Sequence, residues 1–228
     1  MQKDIYILNI ETSTKNCSVS VGKNGKLVAL QELCEANFSH AEKLPSFIEK
    51  NLKDAKITFK DLAAVAVGKG PGSYTGLRIG VSSAKGLCFG LEIPLLAISS
   101  LEILANATSI DNGYIIPLLD ARRLEVFTAV FNEKQQIIKP IFNHILEADS
   151  FLSYLNKDKV YFLGDGAAKT KKIIQHKNAV FLENFHPSAK EMVALSFRKF
   201  IQNKKEDVAY FEPFYLKDFH VTVSKKKK

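Results

Sequence analysis

The stretch Gly68–Gly90, G-K-G-P-G-S-Y-T-G-L-R-I-G-V-S-S-A-K-G-L-C-F-G, decides how the rest of the chain is read. Gly68, Gly70, Pro71 and Gly72 crowd its start, a loop signal, because Pro fixes its own φ and Gly tolerates φ values that other residues resist. Ser73 then stands where a helix N-cap belongs, and a helix is expected from about Tyr74 to Gly90. At about 100° per residue, Leu77, Val81, Ala84, Cys88 and Leu91 make a narrow apolar stripe. Beside it lies a second stripe of Gly76, Gly80, Ser83, Leu87 and Gly90. Each interior glycine costs a helix about 1 kcal/mol relative to alanine, so the missing side chains imply that another backbone comes close. That backbone can belong to the same chain, which composition alone favours, or to another protein. A phosphate cradle is the third reading, because glycine loops before helix N-termini bind anions.

Upstream and downstream, the pattern of elements repeats. Asp4–Ile10 reads as a buried strand, Cys17–Val21 alternates like a half-buried one, and Asn24-Gly25 marks a hairpin turn into a third strand, Leu27–Cys34. A helix capped by Ser39 runs to about Ala55, with Pro45 as an expected kink or late start. Leu62–Val67 delivers the chain into the glycine stretch, and Ile93–Ile98 with a short helix to about Ala107 closes the first set. The order then recurs: strands at Tyr114–Leu119, Leu124–Phe131 and Ile137–Leu146, a short helix from Asp149, a strand at Val160–Leu163, a helix at Ala167–His176 and a strand at Ala179–Leu182. Pro187 opens a long last helix with Met192, Leu195, Phe200 and Ile201 as its apolar face. Strand-strand-strand-helix-strand-helix-strand, twice, is the α/β arrangement of two ribonuclease-H-like lobes, as in the actin, sugar-kinase and Hsp70 class. The expected division is residues 1–108, residues 109–212 and a C-terminal extension, 213–228.

Composition limits the rest. Of 228 residues, 46% are hydrophobic, enough for a real core, and the net charge is +8, half of it in the terminal Lys225–Lys228. Cys17, Cys34 and Cys88 are scattered among apolar residues and read as buried thiols outside any disulfide framework. The apolar run near Met1 is too short for a signal peptide, and no stretch approaches the roughly 20 residues of a membrane span. A cytoplasmic protein with no membrane contact is expected.

The chemistry is incomplete. In two-lobed proteins of this class the first hairpin turn of each lobe faces the cleft and touches nucleotide phosphates. Here those turns offer Glu11, Thr12, Ser13 and Thr14, and then Asp120 and Arg122, as candidate contacts for weak ATP or ADP binding. Polar residues there also suit an ordinary turn. His40 would need a second metal ligand four residues on, and that position is Leu44, so no metal site is expected. Gly68-Lys69-Gly70 lacks the Gly-Lys-Ser/Thr of a Walker loop, which removes the simplest phosphate cradle, and no Gly-x-Ser-x-Gly elbow occurs.

Gly70-Pro71-Gly72-Ser73-Tyr74-Thr75-Gly76-Leu77-Arg78-Ile79-Gly80 resembles the signature of the TsaB (YeaZ) family. Ile10–Thr14, with Glu11 where the family more often has Asp, Ser39–Pro45, Leu119–Phe127, Gly164–Ala167 and Pro213–Leu216 resemble other segments of it, in order, over nearly the whole chain. The resemblance implies a non-catalytic scaffold in the making of threonylcarbamoyladenosine beside the tRNA anticodon. It implies pairing with the paralogue TsaD, the metal-bearing transferase, with the ATPase TsaE binding the pair and tRNA reached through the complex. A homodimer in isolation, no cofactor and no catalytic residue are further implications. The partner face would comprise His40, Leu44, Tyr74, Thr75, Gly76, Leu77, Arg78, Gly80, Val81, Ser83 and Leu87. Two rival readings remain: an ATP-using enzyme resting on Glu11, Thr12 and Asp120, and an RNA-binding module resting on Lys225–Lys228.

Overall fold

The computed structural model describes residues 4–35 and 40–217. The expected cap Ser39 and the terminal lysines lie outside those residues. Strands β1 (Tyr6–Glu11), β2 (Asn16–Lys23) and β3 (Lys26–Cys34) form an antiparallel meander. The β2–β3 turn has positive φ at both Asn24 and Gly25, 51° and 77°, as a two-residue turn of this hand requires. Helix α1 (His40–Asp54) follows, then β4 (Leu62–Gly70), α2 (Tyr74–Leu91), β5 (Leu95–Ser99) and α3 (Ser100–Ala105). Helix α1 continues through the exposed Pro45.

The second half repeats the plan with β6 (Tyr114–Asp120), β7 (Glu125–Asn132), β8 (Ile137–Ile145), α4 (Leu152–Leu155), β9 (Val160–Leu163), α5 (Ala167–Lys171), β10 (Ala179–Leu182) and α6 (Ala189–Ile201). The sheets have orders β3-β2-β1-β4-β5 and β10-β9-β6-β7-β8, the same five-strand topology read in opposite directions. Two ribonuclease-H-like lobes are therefore present.

The lobes are not separately closed. Helices α1 and α2 cover one face of the first sheet, where Leu44, Ile48, Val81 and Ala84 meet Leu8, Val19 and Val65. Its other face is covered by α6, from the far end of the sequence: Ala189, Met192 and Leu195 pack on Ile7, Ala64 and Ile98. In return α3 places Leu101, Leu104 and Ala105 against Ile115, Phe127 and Phe131 of the second sheet. Each lobe lends its last helix to the other. A cut at residue 108 thus passes between two cores to which both halves contribute.

This exchange also explains why β2 is buried on both sides, although its Cys-Ser-Val-Ser-Val alternation reads as half-buried. Its serine face grips the start of α6: Ser20 Oγ donates to the Ala189 carbonyl at 2.7 Å, and the Ala189 amide donates to Ser18 Oγ at 2.9 Å. Gly22 completes the fit, since a Cβ there would lie 2.7 Å from Val193. Ile201, expected on the apolar face of α6, is 60% exposed.

Candidate functional site

The carboxyl ends of β1, β4 and β5 meet the start of α2, and this junction holds most of the singled-out residues. Gly68-Lys69-Gly70, expected as loop, is the last part of strand β4. Ser73 caps α2 as expected, its hydroxyl accepting the Gly76 amide at 3.2 Å. The first hairpin turn lies directly beneath. The Ser73 amide donates to the Ser13 carbonyl at 2.7 Å, and Thr12 Oγ1 donates to the Gly76 carbonyl at 2.8 Å. A Cβ on Gly76 would lie 2.1 Å from the Thr12 carbonyl oxygen, and one on Gly80 would lie 2.3 Å from Thr12 Oγ1.

Gly76 therefore admits the backbone of Thr12, and Gly80 its side chain, both from the same chain. The expected nucleotide contacts Glu11, Thr12, Ser13 and Thr14 are all buried at this junction. Of the expected partner face, His40, Leu44, Gly76, Leu77, Gly80 and Val81 are buried inside the chain. Thr75 and Arg78 are exposed, and Tyr74, Ser83 and Leu87 are half-buried.

Glu11 is the most unusual of the buried groups. It is fully enclosed, and its carboxylate accepts the Ser13 amide at 2.6 Å and Ser100 Oγ at 3.3 Å. Gly68 makes the space, because a Cβ there would stand 2.1 Å from Glu11 Oε2. Burial pushes this carboxyl above the usual glutamate range, against the opposing pull of its hydrogen bonds. With the folded value above the unfolded one of about 4.3, the folded chain holds the proton more tightly. The stabilisation is complete below about pH 4.3 and is lost as pH rises through the folded value. Glu11→Gln keeps an acceptor for Ser13 and should flatten that decline. Circular-dichroism melts between about pH 4 and 8 test it, and a variant whose Tm falls with pH as steeply as the parent's refutes it.

The second hairpin turn is open by contrast. Asp120 and Arg122 are exposed. Asp120 accepts Lys169 Nζ at 2.6 Å and the Arg122 amide at 2.7 Å, while its own amide donates to Asp165 Oδ1 at 2.8 Å. Lys169 also donates to the carbonyls of Arg123 and Glu125, so it organises the whole turn. Lys169 carried no signal in the sequence beyond its helical position.

His40 Nε2–H donates to the Thr14 carbonyl at 2.8 Å, and Leu44 is 1% exposed within the first core. The residue four positions after His40 is thus an interior hydrocarbon, and the pair does not fit a metal. Among the described residues no three His, Cys, Asp or Glu side chains come together in a way that could hold one. Cys17 and Cys88 are buried, whereas Cys34 is exposed, contrary to expectation.

What α2 leaves outside is a different stripe: Ser82, Gly86, Phe89 and Gly90 are exposed, and Phe89 is 83% so. Cβ atoms on Gly86 and Gly90 would meet nothing within 4 Å. Extending the helical projection by one column would have found this stripe in the sequence.

Comparison with known proteins assigns the lineage. A TsaB protein of Bacillus subtilis is 33% identical over 172 residues, covering 74% of this chain and 75% of the relative. A TsaB protein of Buchnera aphidicola from Schizaphis graminum is 31% identical, covering 90% of this chain and 98% of the relative. The chain belongs to the TsaB family. The TsaB relative in Escherichia coli is 28% identical across 93% of this chain. Residues 34–225 also match the family model described as TsaD, tRNA N6-adenosine threonylcarbamoyltransferase, so TsaB and the TsaD transferase share ancestry. YeaZ from Pseudomonas aeruginosa superposes with a TM-score of 0.80 over 93% of this chain at 24% identity, a shared fold. Like its TsaB relatives, the chain serves tRNA threonylcarbamoyladenosine biosynthesis. None of its described helices is long and apolar enough to cross a membrane.

Proposed function

We propose that the chain is a non-catalytic subunit that docks on the TsaD transferase through the outer faces of α1 and α2. The observation that carries this reading is the sealed first-lobe turn. Thr12, Ser13 and Thr14, the hydroxyls that a nucleotide's phosphates would need, lie under α2, and Glu11 is enclosed beside them. Leu44 where a second metal ligand would stand points the same way. On α2 the docking face presents Tyr74, Thr75, Arg78, Ser83 and Leu87 together with Ser82, Gly86, Phe89 and Gly90. Small residues let a partner helix approach, and Tyr74, Arg78 and Phe89 supply the aromatic and guanidinium groups that dominate protein interfaces.

On this reading the subunit works in the cytoplasm, needs no cofactor of its own, and pairs with a second copy when TsaD is absent. The ATPase TsaE engages the assembled pair, and tRNA is reached through the complex. The test is co-purification of the chain with its cognate TsaD, with and without ATP and TsaE. A stable one-to-one complex is expected, with no ATP turnover by this chain alone. Failure to co-purify, or tight binding and hydrolysis of Mg-ATP by the isolated chain in calorimetry, overturns the reading. The second outcome would restore the kinase-like alternative, for which Asp120 and Arg122 are the accessible groups.

A further inference from the structure

The chain does not end its work at α6. Residues 206–217 run back across the molecule, tied down at intervals. The Glu206 amide donates to the Leu95 carbonyl at 2.9 Å, pairing this segment with the edge of the first sheet. Val208 and Phe211 pack on the first core. Lys85 of α2 donates to the carbonyls of Ala209 and Phe211 at 3.1 and 2.9 Å.

The outer part then crosses to the second lobe. The Phe214 amide donates to the Lys69 carbonyl at 2.7 Å, and the Phe214 carbonyl sits over Gly70, where a Cβ would be 2.9 Å away. The Tyr215 ring lies 4.9 Å from that of Tyr74, Leu216 packs on the second-sheet core, and Lys217 pairs with Glu125 at the start of β7. Lys69 and Gly70 end β4, so this part lies across the carboxyl ends of the parallel strands of the first sheet. Open α/β sheets take their ligands in that crevice.

The geometry points to a clasp: residues 214–217 cover the crevice and fasten the second lobe to α2, with Lys217–Glu125 as the releasable catch. Two features make the outer part the one that opens. Residues 206–211 have a strand-edge bond, two core side chains and a lysine gripping two carbonyls. Beyond Pro213 the ties are a backbone bond to Lys69, a ring contact with Tyr74 and the partly buried Leu216, and Phe214 and Tyr215 are 39% and 38% exposed. Segments with few buried contacts open first. The catch itself is a partly exposed ion pair, a class of contact weak enough to exchange readily. Glu125 is held ready for it, since its other oxygen accepts Asn143 Nδ2 at 2.8 Å. The clasp shares Tyr74 with the docking face proposed above, but it is argued from contacts within the chain and does not depend on that reading.

Hydrogen exchange followed by mass spectrometry on the full chain tests this with Lys217→Glu and with the charge swap Lys217→Glu/Glu125→Lys. In Lys217→Glu, peptides covering residues 212–217 should exchange at least about tenfold faster, while those of β1, β4 and β6 keep the parent's protection. The swap should restore the protection of residues 212–217. Unchanged protection there in Lys217→Glu overturns the clasp. So does an equal loss across β1, β4 and β6, which would make the pair an ordinary stabilising contact, and so does a swap that restores nothing.

Discussion

Gly76→Ala is expected to lower the stability of the chain by ~3 kcal/mol or more, the upper end of what overpacking costs. The new Cβ would lie 2.1 Å from the Thr12 carbonyl oxygen, and no rotamer change relieves a clash with backbone. Neither side can retreat cheaply. Thr12 is fully buried and returns a hydrogen bond to the Gly76 carbonyl, and the adjacent Ser13 carbonyl is fixed by the Ser73 amide. For a chain of this size each kcal/mol shifts the melting temperature by roughly 2–4 °C, so a fall of about 6–12 °C is expected in a calorimetric scan. A Gly76→Ala protein melting within about 2 °C of the parent would contradict the packing described at this junction. Gly80→Leu should behave similarly, since Thr12 Oγ1 already fills the space its side chain needs. Loss of partner binding by that variant would therefore report a damaged fold.

Gly86→Leu makes the opposite expectation. Its Cβ meets nothing within 4 Å, and replacing a mid-helix glycine relieves up to about 1 kcal/mol of helix penalty. The isolated variant should thus melt at or slightly above the parent temperature. If a partner helix packs across this face, the same side chain blocks it. Phe89→Ala removes an 83% exposed ring that contributes little to the isolated fold. At a hot spot such a truncation costs about 2 kcal/mol, roughly a 30-fold weaker complex. Titration of TsaD with each variant, beside a thermal melt, separates the two effects. Undiminished affinity in both would remove α2 from the docking surface.

These contrasts show which parts of the molecule were legible in advance. The doubled element order was clear because each strand is short, apolar and bounded by turn residues, and Asn24-Gly25 carried its own geometry. The alternation along β2 misled, because a serine face looks solvated until one knows that the amide and carbonyl of Ala189 satisfy it from some 170 residues away. Long-range satisfaction of polar groups leaves no local periodicity. Gly76 and Gly80 of α2 do mark a close approach, whereas Gly90, read in the same stripe, meets nothing, and sequence spacing carries no label for what approaches. Gly76 and Gly80 face Thr12, while Gly86 and Gly90 face outward, and only the position of the first hairpin turn distinguishes them. The burial of Glu11 was illegible for a related reason: a carboxylate in a polar turn normally signals solvent, and here Gly68 opens a recess for it.

The exchanged helices bear on how the chain is made. During synthesis the five strands of the first sheet can pair as soon as Ser99 has emerged, yet Ile7, Ala64, Ala66, Leu96 and Ile98 have only Ile103 of α3 as early cover until α6 follows, roughly 90 residues later. At ~5–20 residues per second that apolar face waits about 5–20 s. A ribosome-bound intermediate with half its sheet bare is a natural client for a chaperone. Stalling or truncation before Ala189 should leave a product that aggregates instead of a smaller folded lobe.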